Sequence, residues 1–406
     1  MKAITMLRAQ SRSIHRNVLF RLLSGTAALP DQGQKVTDEE KLYSQIVNGE
    51  GVYEEEEQNM SKSTDEVPKK KKKKWAIMMV YCGHGYHGLQ VNKFELPTIE
   101  GVLIQALIKA QCVPETCSYN LKEMRFHRCA RTDKGVSALA QVVSLKLFKP
   151  YTDPVEKINS FLPPAIRVLG IKRVTKGFNP QHTCDSRTYS YTLPTFALSR
   201  GGVSFPDSGF RLPREDFHLV SGLLSVYKGT HNFHNFTCSK LATDKSAYRH
   251  IIDISCSDPF LLHGVEFIRI HIRGQSFMLH QIRKMVCLII AVARGLVPAD
   301  LLIHSMQMEK VNIPLAPGLG LVLEFTHFDS YNRRFFDSPH EPITWEDFLP
   351  AREAFREEKV MPVIVEGELR DLSMCHWLQQ LSMHNFMNIA DSSKMNSVIL
   401  PEECAL

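Results

Sequence analysis

Between Trp75 and Tyr331, apolar residues recur first at every second position and then at helical spacing, over and over. Trp75–Cys82 is an unbroken apolar run of strand length. Thr98 is placed to cap a helix ending at Ala110, with Val102, Leu103, Ala106, Leu107 and Ala110 on one face. Gln141–Phe148 alternates as a strand, Val143, Leu145 and Leu147 pointing one way. Ile166–Val174 and Arg187–Thr195 read as strands, Glu215–Tyr227 as a helix, and His250–Cys256 and Val265–Arg273 as strands. The spacing predicts a strong helix over Leu279–Ala293, with Leu279, Ile282, Val286, Ile289 and Ala293 as its apolar stripe. Leu321–Phe328 closes the series as a strand. Short strands in pairs between helices predict an α+β sheet with helices on one face, built in two halves, 75–200 and 201–331.

The flanks break this pattern. Residues 1–30 hold Lys2, Arg8, Arg12, Arg16 and Arg21 before the first acid, Asp31, with Ile14, Val18 and Leu22 at helical spacing. That is the composition of a mitochondrial presequence, with a disordered basic tail as the competing reading. Residues 31–74 turn acidic and polar, through Glu54–Glu57, and are predicted disordered. They end in Pro68 and the lysine run Lys69–Lys74, which reads as a nuclear-localisation signal, a basic arm for RNA phosphates or a solubilising linker. Two address-like signals predict two compartments, mitochondrion and nucleus, with initiation at Met60 dropping the first and exposing the second. Residues 332–387 read as a helical extension around Trp345, Phe348, Phe355 and Trp377, and 388–406 as an unstructured tail.

Composition narrows the class. The 406 residues are 44% hydrophobic and 23% charged, which excludes a collagen-like, wholly disordered or disulfide-scaffold protein. No apolar stretch approaches the roughly 20 residues of a membrane-spanning helix. Ten scattered cysteines without a C-x-x-C pair predict free thiols in a reducing compartment and no zinc cluster. Lys and Arg number 49 against 43 acids, and the resulting net charge of +6 does not by itself diagnose a nucleic-acid partner.

Four motifs carry candidate chemistry. Gly83-His84-Gly85-Tyr86-His87-Gly88 fits G-x-G-x-x-G after a strand, but Pro97 breaks the path and the first helix waits until Thr98. A glycine-rich loop therefore fits better than a dinucleotide site. In Cys129–Ser137, Asp133 stands between Arg131 and Lys134 and close before Gly135, in a loop ahead of a strand. It is either a turn residue bonding its own backbone or an ionised, positioned carboxylate, and Arg131 and Lys134 can equally grip phosphates. In Arg187–Tyr191 the odd positions share a face; Tyr189 is then packing, or a phenol that stacks on a base or takes a proton. His280 and Arg283 share a face at the start of a buried helix. A cation there opposes the helix dipole, so Arg283 is expected to have an anionic partner, and Asp133 is the expected one.

Together these residues resemble a known family. Tyr81–Gln90, Arg131–Val136, Arg187–Tyr191 and Gln275–Arg283 occur in the order seen in TruA-type tRNA pseudouridine synthases. Gly229–Thr237 and Leu315–Leu323 resemble the eukaryotic branch of that family. The resemblance spans Trp75–Phe386 and departs at Cys82, where Ser or Asp is commoner, and at Leu89, where a larger side chain is common. It implies a pseudouridine synthase fold: a mixed, largely antiparallel sheet of two similar halves with a catalytic cleft between them. It implies Asp133 as catalytic aspartate, Tyr189 as active-site tyrosine and Arg283 as the aspartate's ion-pair partner. Arg131 matches an arginine that holds the flipped-out nucleotide, and Leu321 lies in the strand that lines the uracil pocket. Lys134 and His280 join the expected RNA-binding set. The implied activity is isomerisation of uridine to pseudouridine in tRNA, without cofactor, metal or membrane. Small nuclear and messenger RNA are further candidate partners, because such enzymes read RNA shape more than sequence. Monomer and homodimer both stay open. A non-catalytic tRNA-binding protein, with Asp133 a structural turn, is the alternative.

Overall fold

From Lys74 to Tyr81 every residue is buried, so the first strand, β1 (Lys73–Tyr81), has no solvent face and lies inside the sheet. The computed structural model describes residues 72–386, apart from 93–95, 119–121, 149–152, 201, 203–204 and 239. The expected presequence and acidic linker, up to residue 71, and the expected tail, from residue 387, lie outside the described residues. Ile77, Met79 and Tyr81 point into one core; Ala76, Met78 and Val80 point into two others on the opposite face. A run apolar at successive positions thus reports a sheet covered on both sides.

The remaining strands are β2 (His127–Arg128), β3 (Ser137–Leu147), β4 (Ile166–Arg173), β5 (Ser186–Pro194), β6 (Gly229–Asn232), β7 (Tyr248–Cys256), β8 (Phe260–Leu262), β9 (Val265–Gly274) and β10 (Leu321–His327). They form one sheet in the order β4-β1-β3-β10-β5-β9-β7-β6, with β2 on β3 and β8 on β9. Among the described strands only β10 with β3 is parallel, so the sheet is mixed and largely antiparallel, as expected. The last strand does not end the second half: it slots between β3 and β5 and joins the two halves in hydrogen-bonded register.

The first core packs beneath α1 (Ile99–Lys109), α2 (Pro154–Asn159), α3 (Arg214–Ser225) and α4 (Gln281–Ala293). Thr98 does cap α1, its hydroxyl accepting from the Gly101 amide at 3.2 Å. The expectation of helices on one face is corrected by the C-terminal segment. There α5 (Leu349–Phe355), a π-turn over Arg356–Val360 and α6 (Met361–Leu369) bring Phe355, Val360, Met361 and Ile364 onto the opposite face. The last helix, α7 (Ser373–Ser382), packs Met374, Leu378 and Leu381 into the first core.

What holds α5 down is charge. Arg356 meets Glu324 of β10 with two parallel hydrogen bonds of 2.7 and 2.6 Å. Arg352 donates to the carbonyls of Leu139 and Glu324, with its guanidinium 3.9 Å from the Phe325 ring centre.

Strand and helix limits shift in two informative places. β3 starts at Ser137, four positions before the alternating pattern, because Ser137–Ala140 are all buried and offer no alternation of exposed and buried positions to read. The helix expected from Leu279 starts at Gln281: His280 adopts left-handed backbone (φ 67°), and Leu279 is 56% exposed rather than part of the apolar stripe. No helix among the described residues is long and apolar enough to cross a membrane.

Candidate active site

Asp133 sits in the loop 129–136 between β2 and β3, and three neighbours hold that loop still. Gln141 on β3 closes a two-way amide pair with Ala130, its Nε2 donating to the carbonyl at 3.0 Å and its Oε1 accepting from the amide at 3.3 Å. The Tyr81 hydroxyl, from the end of β1, shares a buried hydrogen bond of 2.8 Å with the Thr132 hydroxyl. Burial pushes the Tyr81 phenol up to about 12, so it stays neutral and keeps that bond. The third neighbour is the glycine-rich segment 83–88. The Leu89 amide donates to Thr132, the Gly135 amide donates to Tyr86, and the Gly83 amide donates to the Ser137 hydroxyl. A Cβ on Gly83 would lie 2.3 Å from the Val136 carbonyl oxygen, and one on Gly88 2.9 Å from that of Thr132. Those glycines serve close backbone approach to the Asp133 loop.

Arg187, at the start of β5, gathers the surroundings. Its guanidinium donates to the carbonyls of Cys129 (3.1 Å), Gln181 (2.8 Å) and Gln275 (2.9 Å), joining three segments around the cavity. The sequence reading quoted this arginine only as part of a motif. Its signal was slight: a cation on the buried face of a strand, where a charge must be satisfied.

The Asp133 carboxylate faces α4. Arg283 Nη1 stands 4.0 Å and His280 Nε2 3.6 Å from the same oxygen, Oδ2. The expected pairing of Arg283 with Asp133 is therefore present. His280 reaches Asp133 as the residue ahead of the helix, with its Nδ1 3.6 Å from the Cys238 thiol. If Nε2 carries the proton toward Asp133, Nδ1 is free to accept from that thiol. A short turn fixes this bend, the Gln281 side chain accepting from the Met278 amide at 2.9 Å.

Tyr189 pairs in register with Leu323 of β10 and Ile272 of β9, and meets Phe277 edge-on at 5.3 Å. Burial pushes its phenol well above the ordinary tyrosine range. Leu321 opens β10 opposite Tyr191. Asp133, Tyr189, Arg283, His280, Arg131 and Leu321 all line one cavity of about 630 Å³, a size that suits a small ligand or one nucleotide. Arg131 is exposed at its edge; Lys134 is exposed and does not line it. Among the described residues no three His, Cys, Asp or Glu side chains converge as a metal site, and the eight cysteines whose side chains are described are free thiols.

A mixed sheet covered on both faces thus presents a loop carboxylate, an arginine and a strand tyrosine around one cavity. The family profile for tRNA pseudouridine synthase matches residues 224–329. Pseudouridylate synthase 1 homolog from Mus musculus is 46% identical over 371 residues, covering 89% of this chain and 88% of the mouse protein. The Homo sapiens protein of the same name is 45% identical, covering 90% and 87%. The tRNA pseudouridine synthase 1 of Yarrowia lipolytica is 33% identical, covering 75% and 73%. This chain belongs to the tRNA pseudouridine synthase family and is an isomerase.

Proposed function

We propose that this chain converts uridines of tRNA to pseudouridine with Asp133 as the carboxylate that acts on a flipped-out nucleotide. The observation that carries the reading is the convergence of Asp133, Arg283, Tyr189 and Leu321 on one cavity. The reaction breaks N1–C1′, turns the ring and forms C5–C1′; C5 loses a proton and N1 gains one. Atoms and electrons balance within the substrate, so no oxidant or activated donor is consumed. A carboxylate serves either as nucleophile or as base in such a sequence, and Arg283 stands across from it at 4.0 Å. The Tyr189 ring offers a face to the uracil, and its raised pKa supports a neutral hydroxyl rather than a phenolate base. Leu321 supplies an apolar wall. Flipping the nucleotide costs on the order of a few kcal/mol, which cations at the rim, Arg131 and Lys134 among them, offset through phosphate contacts.

Small nuclear and messenger RNA are proposed as further substrates, since a buried pocket reads one splayed-out base and leaves the surrounding RNA to be read by shape. Action in both mitochondrion and nucleus is proposed from the basic, acid-free residues 1–30 and from Lys69–Lys74. Unchanged nuclear protein in cells expressing a Met60→Ile variant would overturn the internal-initiation account.

The deciding experiment is tritium release from unmodified tRNA labelled at C5 of uridine, beside an Asp133→Ala control. Release by the wild type alone is expected. Release by both proteins would remove Asp133 from the chemistry. Tight tRNA binding without release would favour the binding-only reading.

A further inference from the structure

A second cavity, of about 610 Å³, opens beside the first, its wall including Lys74, Arg125, Phe126, Arg128, Lys176 and Phe178. No Asp or Glu lines it. Arg128 is paired with the buried Glu100 at 2.7 Å, but Lys74, Arg125 and Lys176 enter no ion pair among the described residues. Cations gathered without counter-charge repel one another, and a bound anion relieves that repulsion.

The arrangement is built rather than incidental. Lys74 ends the lysine run, yet it is a β1 residue only 5% exposed. Its ammonium donates to the Arg125 carbonyl at 2.5 Å and lies 3.1 Å from His127 Nδ1. Arg125 takes left-handed backbone (φ 48°) at this point. Burial, and then the charges of Arg125 and Lys146, press the Lys74 pKa down to about 8. That is chiefly the mark of a buried ammonium, with neighbouring positive charge adding to the effect.

Position decides what the anion is. Lys122, residues 125–128 and residues 176–179 line this cavity; their continuations, 129–133 and 181–182, line the Asp133 cavity, and Arg128 belongs to both walls. A strand of RNA with one base in the Asp133 cavity has a path past Arg128 into the cationic one. We propose that the Lys74–Arg125–Lys176 cavity is a phosphate-binding subsite that grips the RNA backbone to one side of the target uridine. This rests on reading the Asp133 cavity as the place where the uridine is held. Such contacts fix register without reading sequence.

The test is the charge-reversed double variant Arg125→Glu/Lys176→Glu, at two exposed positions, with Arg125→Lys/Lys176→Arg as the charge-conserving control. Binding of an unmodified tRNA transcript is titrated across a range of NaCl concentrations, and the steady-state kinetics are measured with the same RNA. The reversed variant is expected to bind at least 10-fold more weakly at about 0.1 M salt. Its slope of log affinity against log salt should shrink by about 1 to 2. The activity loss should sit in KM rather than kcat, and the control should restore both values. An unchanged slope and KM would overturn the proposal. So would competition by millimolar inorganic phosphate that is lost in the variant while tRNA affinity stays the same, since the cavity would then serve a small free anion. A wild type that binds tRNA but makes no pseudouridine would count against the Asp133 reading alone, because the salt slope is read from binding.

Discussion

Arg283 holds Asp133 and the chain behind itself at once: its Nη1 lies 4.0 Å from Asp133 Oδ2, while its Nε donates to the Ala316 carbonyl at 2.7 Å. The planar fork of a guanidinium can point different donors at both targets, which one ammonium cannot do with the same reach. The first turn of a helix ordinarily disfavours a cation. Here a carboxylate in front and a carbonyl behind compensate. The Ala316 segment is itself pinned, the Tyr191 hydroxyl donating to Pro317 at 2.6 Å. Gly320 approaches so closely that a Cβ would stand 2.0 Å from the Thr192 carbonyl oxygen. The arginine's place is thus set by β5 and by the entry to β10.

Replacing Arg283 with Lys therefore keeps the charge and loses the geometry. We expect kcat to fall about 10- to 100-fold, with KM little changed, and Arg283→Met to fall on the order of 10²–10³-fold. Tritium release at saturating tRNA reads both. A Lys variant with wild-type kcat would mean that charge alone suffices.

Gly83 and Gly85 make a matched contrast. An alanine at Gly83 would drive its Cβ to 2.3 Å from the Val136 carbonyl oxygen, whereas one at Gly85 meets open space and bears only the strain of φ 81°. Gly83→Ala should cost about 1–3 kcal/mol of stability through overpacking, and should cut kcat at least 10-fold by displacing the Asp133 loop. Gly85→Ala should cost about 1 kcal/mol and leave kcat close to wild type. Thermal melts and kinetics on the pair separate loop placement from mere strain.

Asp133 and Arg283 were legible because each is chemically odd in its own setting, an acid between cations and a cation at a helix start; Tyr189 on its strand reads equally as packing, and the family resemblance singled it out. Arg187 was not assigned a role, because its partners are backbone carbonyls at Cys129, Gln181 and Gln275 that only folding brings together. The strand over 321–327 was legible, but not its place between β3 and β5, since hydrophobic period says which face is buried and nothing of which neighbour pairs. The left-handed His280 hid the true start of α4, because helical spacing continues through it to Leu279. The charge-rich stretch around Arg352 and Arg356 was legible as a helical extension packed on the core, but not the burial of those two arginines, which depends on Glu324 of β10.

That ion pair gives a stability test. Removing one partner, as in Glu324→Gln or Arg356→Met, strands a buried charge and should cost about 3–5 kcal/mol; Glu324→Met with Arg356→Met should recover part of the loss. Burial pushes the Glu324 carboxyl up, but the Arg356 hydrogen bonds outweigh it and hold it below the usual range. A depressed carboxyl contributes stability above its unfolded pKa and loses it as pH falls through the folded one. Denaturation of the double-mutant cycle should accordingly show a coupling that is strong at pH 7 and fades only in acid.

Glu368 on α6 has the opposite sign. It is 1% exposed and accepts one hydrogen bond, from the Met374 amide at 2.9 Å. Burial raises its carboxyl from 4.5 to about 7. Between those values the folded chain keeps a proton that the unfolded chain has released, so stability falls as pH rises through that window and then levels off. The full drop is on the order of 3 kcal/mol. Glu368→Gln keeps an acceptor for Met374 and removes the charge. It should leave stability near pH 5 little altered and raise it at pH 8, flattening the profile in urea titrations. A variant whose stability still falls as steeply between pH 5 and 8 would assign the titration to another group.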